Sequence, residues 1–299
     1  MGVQSRIVLY AANRAEAEAA AAAAFERIGA LDAVMSDYRR DSELARLCER
    51  AGGEAVPVSR DLFRVLAAAR AVSEATGGAF DVTVGPAVAL WRRARQTRQL
   101  PTEEERLEAM SLIGWQWVVL DRTAGTVRLA QPGMRLDLGG IGKGYAAAEA
   151  VETLRARGVG RCLVGLAGDI ATGDAPPGRI GWEVEVEVDG AGAGGERMAL
   201  LLANRSVSTS GSREQFVEID GRRYSHMVDP RTGLGATTSR VAAVVGKEGA
   251  VVDAAATALC VVSDAEREMV RDRLEALGVR LVDVGGGRAG RSGRGEAGG

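Results

Sequence analysis

The chain has 299 residues, 46% of them hydrophobic, which suits one large domain or two closely packed ones around a sizeable core. Its 38 basic and 40 acidic residues leave a formal net charge of -2, and aromatics make up 4%, which excludes the basic field and the stacking platforms of nucleic-acid binders. Cys48, Cys162 and Cys260 show no C-x-x-C spacing, which argues against a disulfide framework and a thiolate zinc site, and no apolar run approaches the roughly 20 residues of a membrane span.

Residues 6–10 read as an opening strand with no secretory signal before it. Asn13 can cap a long alanine-rich helix over residues 15 to about 31. A polar turn after Met35-Ser36-Asp37-Tyr38 leads to a short helical segment over 42–48. Ser59 caps a helix that runs to Ala75 and stops at Gly77-Gly78. Thr102 and Glu105 form a capping-box pattern for the next helix. Residues 117–120 and 126–130 look like paired strands, and 134–138 like a strand that ends at Gly139-Gly140. A helix over 143–157 follows, with Gly158 as its stop, and then a short strand over 161–164. Residues 182–188 alternate cleanly as a half-exposed strand, and 190–195 read as a loop. Thr209-Ser210-Gly211-Ser212 reads as a polar turn after a strand, which could line a ligand site or merely turn the chain. Residues 216–219 and 222–226 form a hairpin about Asp220-Gly221, and 240–245 a strand. An apolar helix over 249–262 precedes an amphipathic one over 264–277, capped by Ser263. Residues 285–299 are Gly/Arg/Ser-rich and expected to be a disordered tail, so the working domain is 1–284. This mixture is not a strict βαβ alternation, and it indicates an α+β fold with antiparallel or mixed sheets.

Four features carry chemistry. His226 is the only histidine, and imidazole is the side chain that titrates unperturbed near neutral pH. It stands before the Asp-Pro-Arg-Thr-Gly turn of residues 229–233. The glycine cluster at 137–144 lies between strand and helix, where backbone can approach an anion closely. It is not a Walker A loop, because Asp137 and Gly144 occupy the wrong positions, and Tyr145 breaks the dinucleotide fingerprint. Asp253 and Thr257, four apart on an otherwise apolar helix, put two oxygens on one face. That pair suits a hard cation such as Mg²⁺, or else Asp253 caps a backbone segment or pairs with an arginine. Phe80 and Asp81 offer a stacking ring and an acceptor, or a hydrophobic anchor and a cap.

In their order along residues 1–262, these segments resemble the ApbE family, the FAD:protein FMN transferases. The resemblance rests on Met35-Ser36-Asp37-Tyr38 with Ser42-Glu43-Leu44, on 78–86, on 137–145, on Ser208-Thr209-Ser210-Gly211, on Tyr224-Ser225-His226-Met227-Val228-Asp229-Pro230-Arg231-Thr232-Gly233, and on 253–259. It implies an ApbE-like, T-fold-related α+β unit with mixed or antiparallel sheets and packed helices. It also implies cleavage of the FAD pyrophosphate, with FMN moved onto a threonine or serine hydroxyl of a partner flavoprotein and AMP leaving. Carried over, the FAD-binding positions are Met1, Tyr38, Ala79, Phe80, Asp81, Asp137, Lys143 and Val228. Mg²⁺ or Mn²⁺ would sit on the backbone of Gly140 and the side chains of Asp253 and Thr257, and His226 matches the family's functional histidine, making His226 and Asp253 the implied catalytic pair. Phe80 and Tyr38 would flank a flavin or adenine ring, and Asp81 would bond to its edge.

Two departures stand out. Gly165-Leu166-Ala167-Gly168-Asp169 replaces the usual Asn-Gly-Gly-Asp run and touches no implied metal position, and Ala256 stands where some members carry a carboxylate. The same site would serve an FAD pyrophosphatase, with water in place of the acceptor hydroxyl. Asp253, Thr257 and His226 argue against a third reading, a non-catalytic flavin-binding protein. With no leader or lipobox cysteine ahead of Met1-Gly2, the chain as written is expected in the cytoplasm, and a start further upstream would make it exported or membrane-anchored.

Overall fold

The structure is a computed structural model that describes residues 3–189, 196–211, 216–237 and 240–282. Its first part comprises β1 (Ser5–Leu9), α1 (Arg14–Met35), α2 (Glu43–Glu49), β2 (Val56–Pro57), α3 (Arg60–Thr76), α4 (Gly85–Thr97), α5 (Glu103–Met110), β3 (Val118–Asp121), β4 (Thr126–Leu129) and α6 (Gly142–Ala156). The second part comprises β5 (Cys162–Leu166), β6 (Asp169–Thr172), β7 (Trp182–Val188), β8 (Glu196–Leu202), β9 (Ser206–Gly211), β10 (Phe216–Ile219), β11 (Arg222–Ser225), β12 (Val228–Asp229) and β13 (Leu234–Gly235). It closes with β14 (Val241–Gly246), α7 (Gly249–Val261), α8 (Asp264–Glu275) and β15 (Val279–Val282).

The main sheet runs β1-β5-β6-β9-β14-β15, with every neighbouring pair antiparallel. The expected α+β class with antiparallel sheets is the observed one. One face packs on α6 and α7, whose apolar residues Ala146, Ala147, Ala150, Leu154, Ala254, Ala255, Ala258 and Leu259 join a core with Leu31 and Leu62. The other face is covered by the β7–β8 hairpin, where Trp182, Val184, Val186 and Val188 point inward and Glu183 and Glu185 outward, the period-two pattern of the sequence.

Small residues set how close the two central helices come. A Cβ on Gly144 or Gly249 would lie 2.2 Å from the other residue's carbonyl oxygen, so α6 and α7 touch through bare backbone. A smaller cluster stands apart: α4 supplies Ala87, Trp91 and Ala94, and the β10–β11 hairpin supplies Val217, Ile219 and Tyr224. Trp91 and Tyr224 pack with ring centroids 4.9 Å apart. Asp220 and Gly221 both have left-handed φ, 51° and 71°, as a two-residue hairpin turn requires.

The structure also departs from the sequence reading. Residues 134–138 are alternately buried but form no strand; Asp137 N–H donates instead to the Val82 carbonyl at 2.8 Å. Thr209, Ser210 and Gly211 do not turn the chain but complete β9, opposite Ala243, Ala242 and Val241. Helix α4 was not expected, since it starts at Gly85-Pro86 with no side-chain cap; proline is tolerated in a first helical turn, where its missing N–H costs nothing. Strands β2, β6, β8, β12, β13 and β15 were likewise absent from the sequence reading. Met1, the loop over 190–195, Ser212 and the tail over 285–299 lie outside the described residues.

Candidate active site

A cleft of about 380 Å³ opens between the α6–α7 pair and the segment joining β11 to β12. Tyr38, Ala79, Phe80, Asp81, Asp137, Gly140, Lys143, His226, Val228, Asp253 and Thr257 all line it, so the fold gathers every described residue singled out from the sequence. A larger cavity of about 600 Å³, beside the C-terminal half of α6, contains none of them.

The floor is electrostatic. Lys143 stands in the first turn of α6, and its ammonium reaches the Gly139 carbonyl at 3.0 Å, Asp169 Oδ2 at 3.1 Å and Asp253 Oδ2 at 3.5 Å. Burial pulls its pKa down, but the carboxylates of Asp253 and Asp169 outweigh that and hold it above the usual lysine range. Asp253 is 1% exposed, and its Oδ2 also accepts the Gly144 N–H at 3.0 Å. Burial, then the neighbouring charge of Asp169, pushes its carboxyl well above the ordinary range, with Lys143 opposing. Asp169, set aside in the sequence as touching no metal position, is therefore part of this floor. It follows a tight turn in which Ala167 takes a φ of 53°. Among the described residues its Oδ1 is the one buried side-chain oxygen without a partner, an arrangement that ordinarily costs about 1–3 kcal/mol.

The rim is held by side chains. Arg92, on α4, pairs with Asp37 at 2.6 Å and Asp137 at 3.0 Å, and lies 4.5 Å over the Tyr38 ring. Tyr38 is 77% exposed. Asp137 Oδ1 accepts the Gly139 N–H at 2.8 Å, which shapes the glycine turn; burial and Asp37 raise its pKa. Arg92 was missed because its helix was missed.

Asp81 takes the cap reading. Its Oδ1 accepts from Thr83 N and Oγ1 at 2.8 and 2.7 Å, and its Oδ2 from Trp115 N at 2.9 Å. Burial raises this carboxyl too. Phe80 is 5% exposed, and its ring packs beneath Gly140, so it floors the cleft rather than standing free as a stacking face.

His226 is half-buried and lines the same cleft. Its bend is fixed by Ser225 N to Ala236 O and Ala236 N to Met227 O, both 2.8 Å. Beyond it, Asp229 accepts from the Arg231 N–H at 2.9 Å, Arg231 bridges to Glu266 of α8 at 2.5 Å, and Trp91 Nε1 donates to the Gly233 carbonyl at 2.8 Å.

The donor set fits a hard cation. A Cβ on Gly140 would lie 2.9 Å from Thr257 Oγ1, so only glycine lets this backbone meet that hydroxyl, and Ser210 Oγ is 3.5 Å from the same oxygen. No group of three or more His, Cys, Asp or Glu side chains able to hold a metal occurs among the described residues. A cation here would have few protein ligands, as Mg²⁺ does when phosphate and water complete its shell. Among the described residues no helix is long and apolar enough to cross a membrane.

The fold is shared with solved flavin transferases. The flavin transferase ApbE from Vibrio cholerae superposes with a TM-score of 0.82 at 26% identity, covering 94% of this chain and 89% of that one. The ApbE protein from Thermotoga maritima gives 0.82 at 27% identity, covering 94% and 90%. The ApbE family profile matches residues 1–279. The FAD:protein FMN transferase of Klebsiella pneumoniae (strain 342) is 34% identical over 217 residues, 72% of this chain and 66% of that protein. That of Treponema pallidum (strain Nichols) is 36% identical over 254 residues, 80% and 70% respectively. The chain belongs to the ApbE family.

Proposed function

We propose that the chain is a Mg²⁺-dependent FAD:protein FMN transferase that joins FMN, through a phosphodiester, to a threonine or serine hydroxyl of a partner flavoprotein. The observation that carries this reading is the convergence of Lys143, Asp253, Thr257 and the Gly140 backbone at the floor, with His226 lining the same cleft. The relatives named FAD:protein FMN transferase support it.

Phosphoryl transfer asks for positioning and charge stabilisation rather than covalent help from the protein. Gly140, Asp253 and Thr257 would hold the cation, which supplies neutralisation of the pyrophosphate charge when bound. Lys143, kept charged by its carboxylates, would face the same phosphates. The acceptor hydroxyl oxygen bonds to the flavin-side phosphorus, and the bond from that phosphorus to the bridging oxygen breaks. AMP leaves with the bridging oxygen. His226, within the same cleft, would take the hydroxyl proton. Arg92, Asp137 and Tyr38 would bind and orient FAD at the rim.

The test is intact-mass spectrometry of an acceptor domain with a family-type threonine site, incubated with this protein, FAD and Mg²⁺. A gain of one FMN with AMP released, lost in EDTA, is expected. AMP and free FMN beside an unmodified acceptor would identify a pyrophosphatase, and no AMP at all a flavin-binding protein.

A further inference from the structure

The Lys143 ammonium has three protons and three acceptors, and the contact to Asp253 is the longest of them. Asp253 is also the residue on which the proposed cation site depends. A divalent cation on Asp253 and an ammonium within hydrogen-bonding distance of the same oxygen repel each other. Lys143 therefore needs somewhere to go that keeps it charged and inside the cleft.

Asp169 offers that place. Its Oδ2 already holds the ammonium at 3.1 Å, and its Oδ1 is buried with no partner. It cannot move away, because it opens β6 and is paired to Leu166 on one side and Ser208 on the other. The lysine can move: its side chain is 27% exposed, against 4% for Asp169 and 2% for Asp253, and it is a flexible four-carbon stem. When both are ionised, two buried carboxylates facing one ammonium leave one negative charge that a further cation would balance.

We propose that Asp169 is a positioning residue that takes Lys143 over from Asp253 when a divalent cation binds, its free Oδ1 accepting the hydrogen bond that Asp253 gives up. The proposal rests on the cation reading of Asp253 given above. In the metal-free protein Lys143 substitutes for the missing charge at Asp253; in the loaded protein Asp169 holds it beside the phosphates.

Binding of Mn²⁺ alone to the full chain, without FAD, tests this by paramagnetic resonance titration. Asp169→Asn should weaken Mn²⁺ binding about tenfold, because Lys143 is left to compete for Asp253, and Asp169→Asn/Lys143→Met should bind within about twofold of Lys143→Met alone. An equal loss in the Lys143→Met background would make Asp169 a ligand itself and overturn the handover; so would unchanged binding in Asp169→Asn. Asp253→Asn runs in parallel, and undiminished Mn²⁺ binding there would bring down the cation reading itself. If Asp169→Asn does not fold, NMR of the wild-type protein with labelled lysine decides. Couplings across the hydrogen bonds from Lys143 Nζ should reach the carboxyl carbons of both aspartates without Mg²⁺ and that of Asp169 alone with it. A persisting coupling to Asp253 would refute the proposal.

Discussion

At the floor of the cleft the side chains of Asp253 and Asp169 are 2% and 4% exposed, and the helices that carry Lys143 and Asp253 meet through glycine backbone. At the rim Tyr38 is 77% exposed and Arg92 spans it through a ring face and two carboxylates. The two regions solve different problems. A buried charge is tolerable only where its partners are fixed, so the floor is set by backbone positions that cannot yield. The rim must admit a large substrate, so it is set by long side chains that can re-pair. Substitutions at the floor should therefore act steeply and on chemistry or folding, and those at the rim gently and on binding.

The largest expected effect is at Asp253. Asp253→Ala should lower turnover on the order of 10³-fold while FAD still binds, because the cation ligand is lost and the rim is intact. Stopped turnover assays beside fluorescence titration of FAD check this; near-normal turnover would remove Asp253 from the mechanism. Gly144→Ala comes next. Its Cβ would meet the Gly249 carbonyl at 2.2 Å and Asp253 Cβ at 2.7 Å, and neither can rotate aside. The helices must part, at a cost of about 2–3 kcal/mol in urea unfolding. Gly29→Ala is the control, since nothing lies within 4 Å of its added Cβ on exposed α1. It should stabilise by about 0.5–1 kcal/mol. Equal effects at the two glycines would break the contrast between floor and surface.

Arg92→Ala should raise the KM for FAD about tenfold with little change in kcat, by leaving Asp37 and Asp137 as unpaired like charges beside the ring site. Arg92→Lys should not restore it, because a lysine cannot bridge two carboxylates and stack on Tyr38 with one planar group. A fall in kcat instead of a rise in KM would move Arg92 from the rim to the chemistry.

Much of this was legible in the sequence where the signal is local. Thr102 with Glu105 forms the capping box its spacing suggests, Ser263 caps α8 as expected, and Asp253 and Thr257 face one cleft because four residues make about one helical turn. Asp169 was not legible. Its partners are Lys143, before it across a helix and a strand, and Asp253, on a helix far beyond it, so no periodicity connects them. A lone carboxylate after a Gly-rich turn looks like a solvated loop residue until the sheet buries it. For Phe80 and Asp81 the sequence leaves two postures open, and it is the anchor and cap that the fold adopts, because capping of the Val82–Val84 turn takes up the Asp81 acceptors locally.

The smallest effect tests whether the His226 wall belongs with the rim. Arg231 ties the loop after His226 to Glu266 on α8, and the hydrogen bond from Arg231, then those from Ser263, depress the Glu266 carboxyl from 4.5 to about 2. A depressed acid stabilises the fold fully above its ordinary value of 4.5 and loses that contribution as the pH falls toward about 2. The Glu266 side chain is 34% exposed, so screening limits the effect to about 0.5–1 kcal/mol. Glu266→Gln should therefore lower the thermal midpoint by about 2 °C at pH 7, and the gap from wild type should close as the pH drops below 4.5. Turnover should change less than about twofold, because Trp91 Nε1 on Gly233 and the backbone bonds to Ala236 hold the bend independently. A large loss of turnover would show that the His226 wall hangs on one exposed ion pair, and that it depends, unlike the floor, on side chains that solvent can compete for.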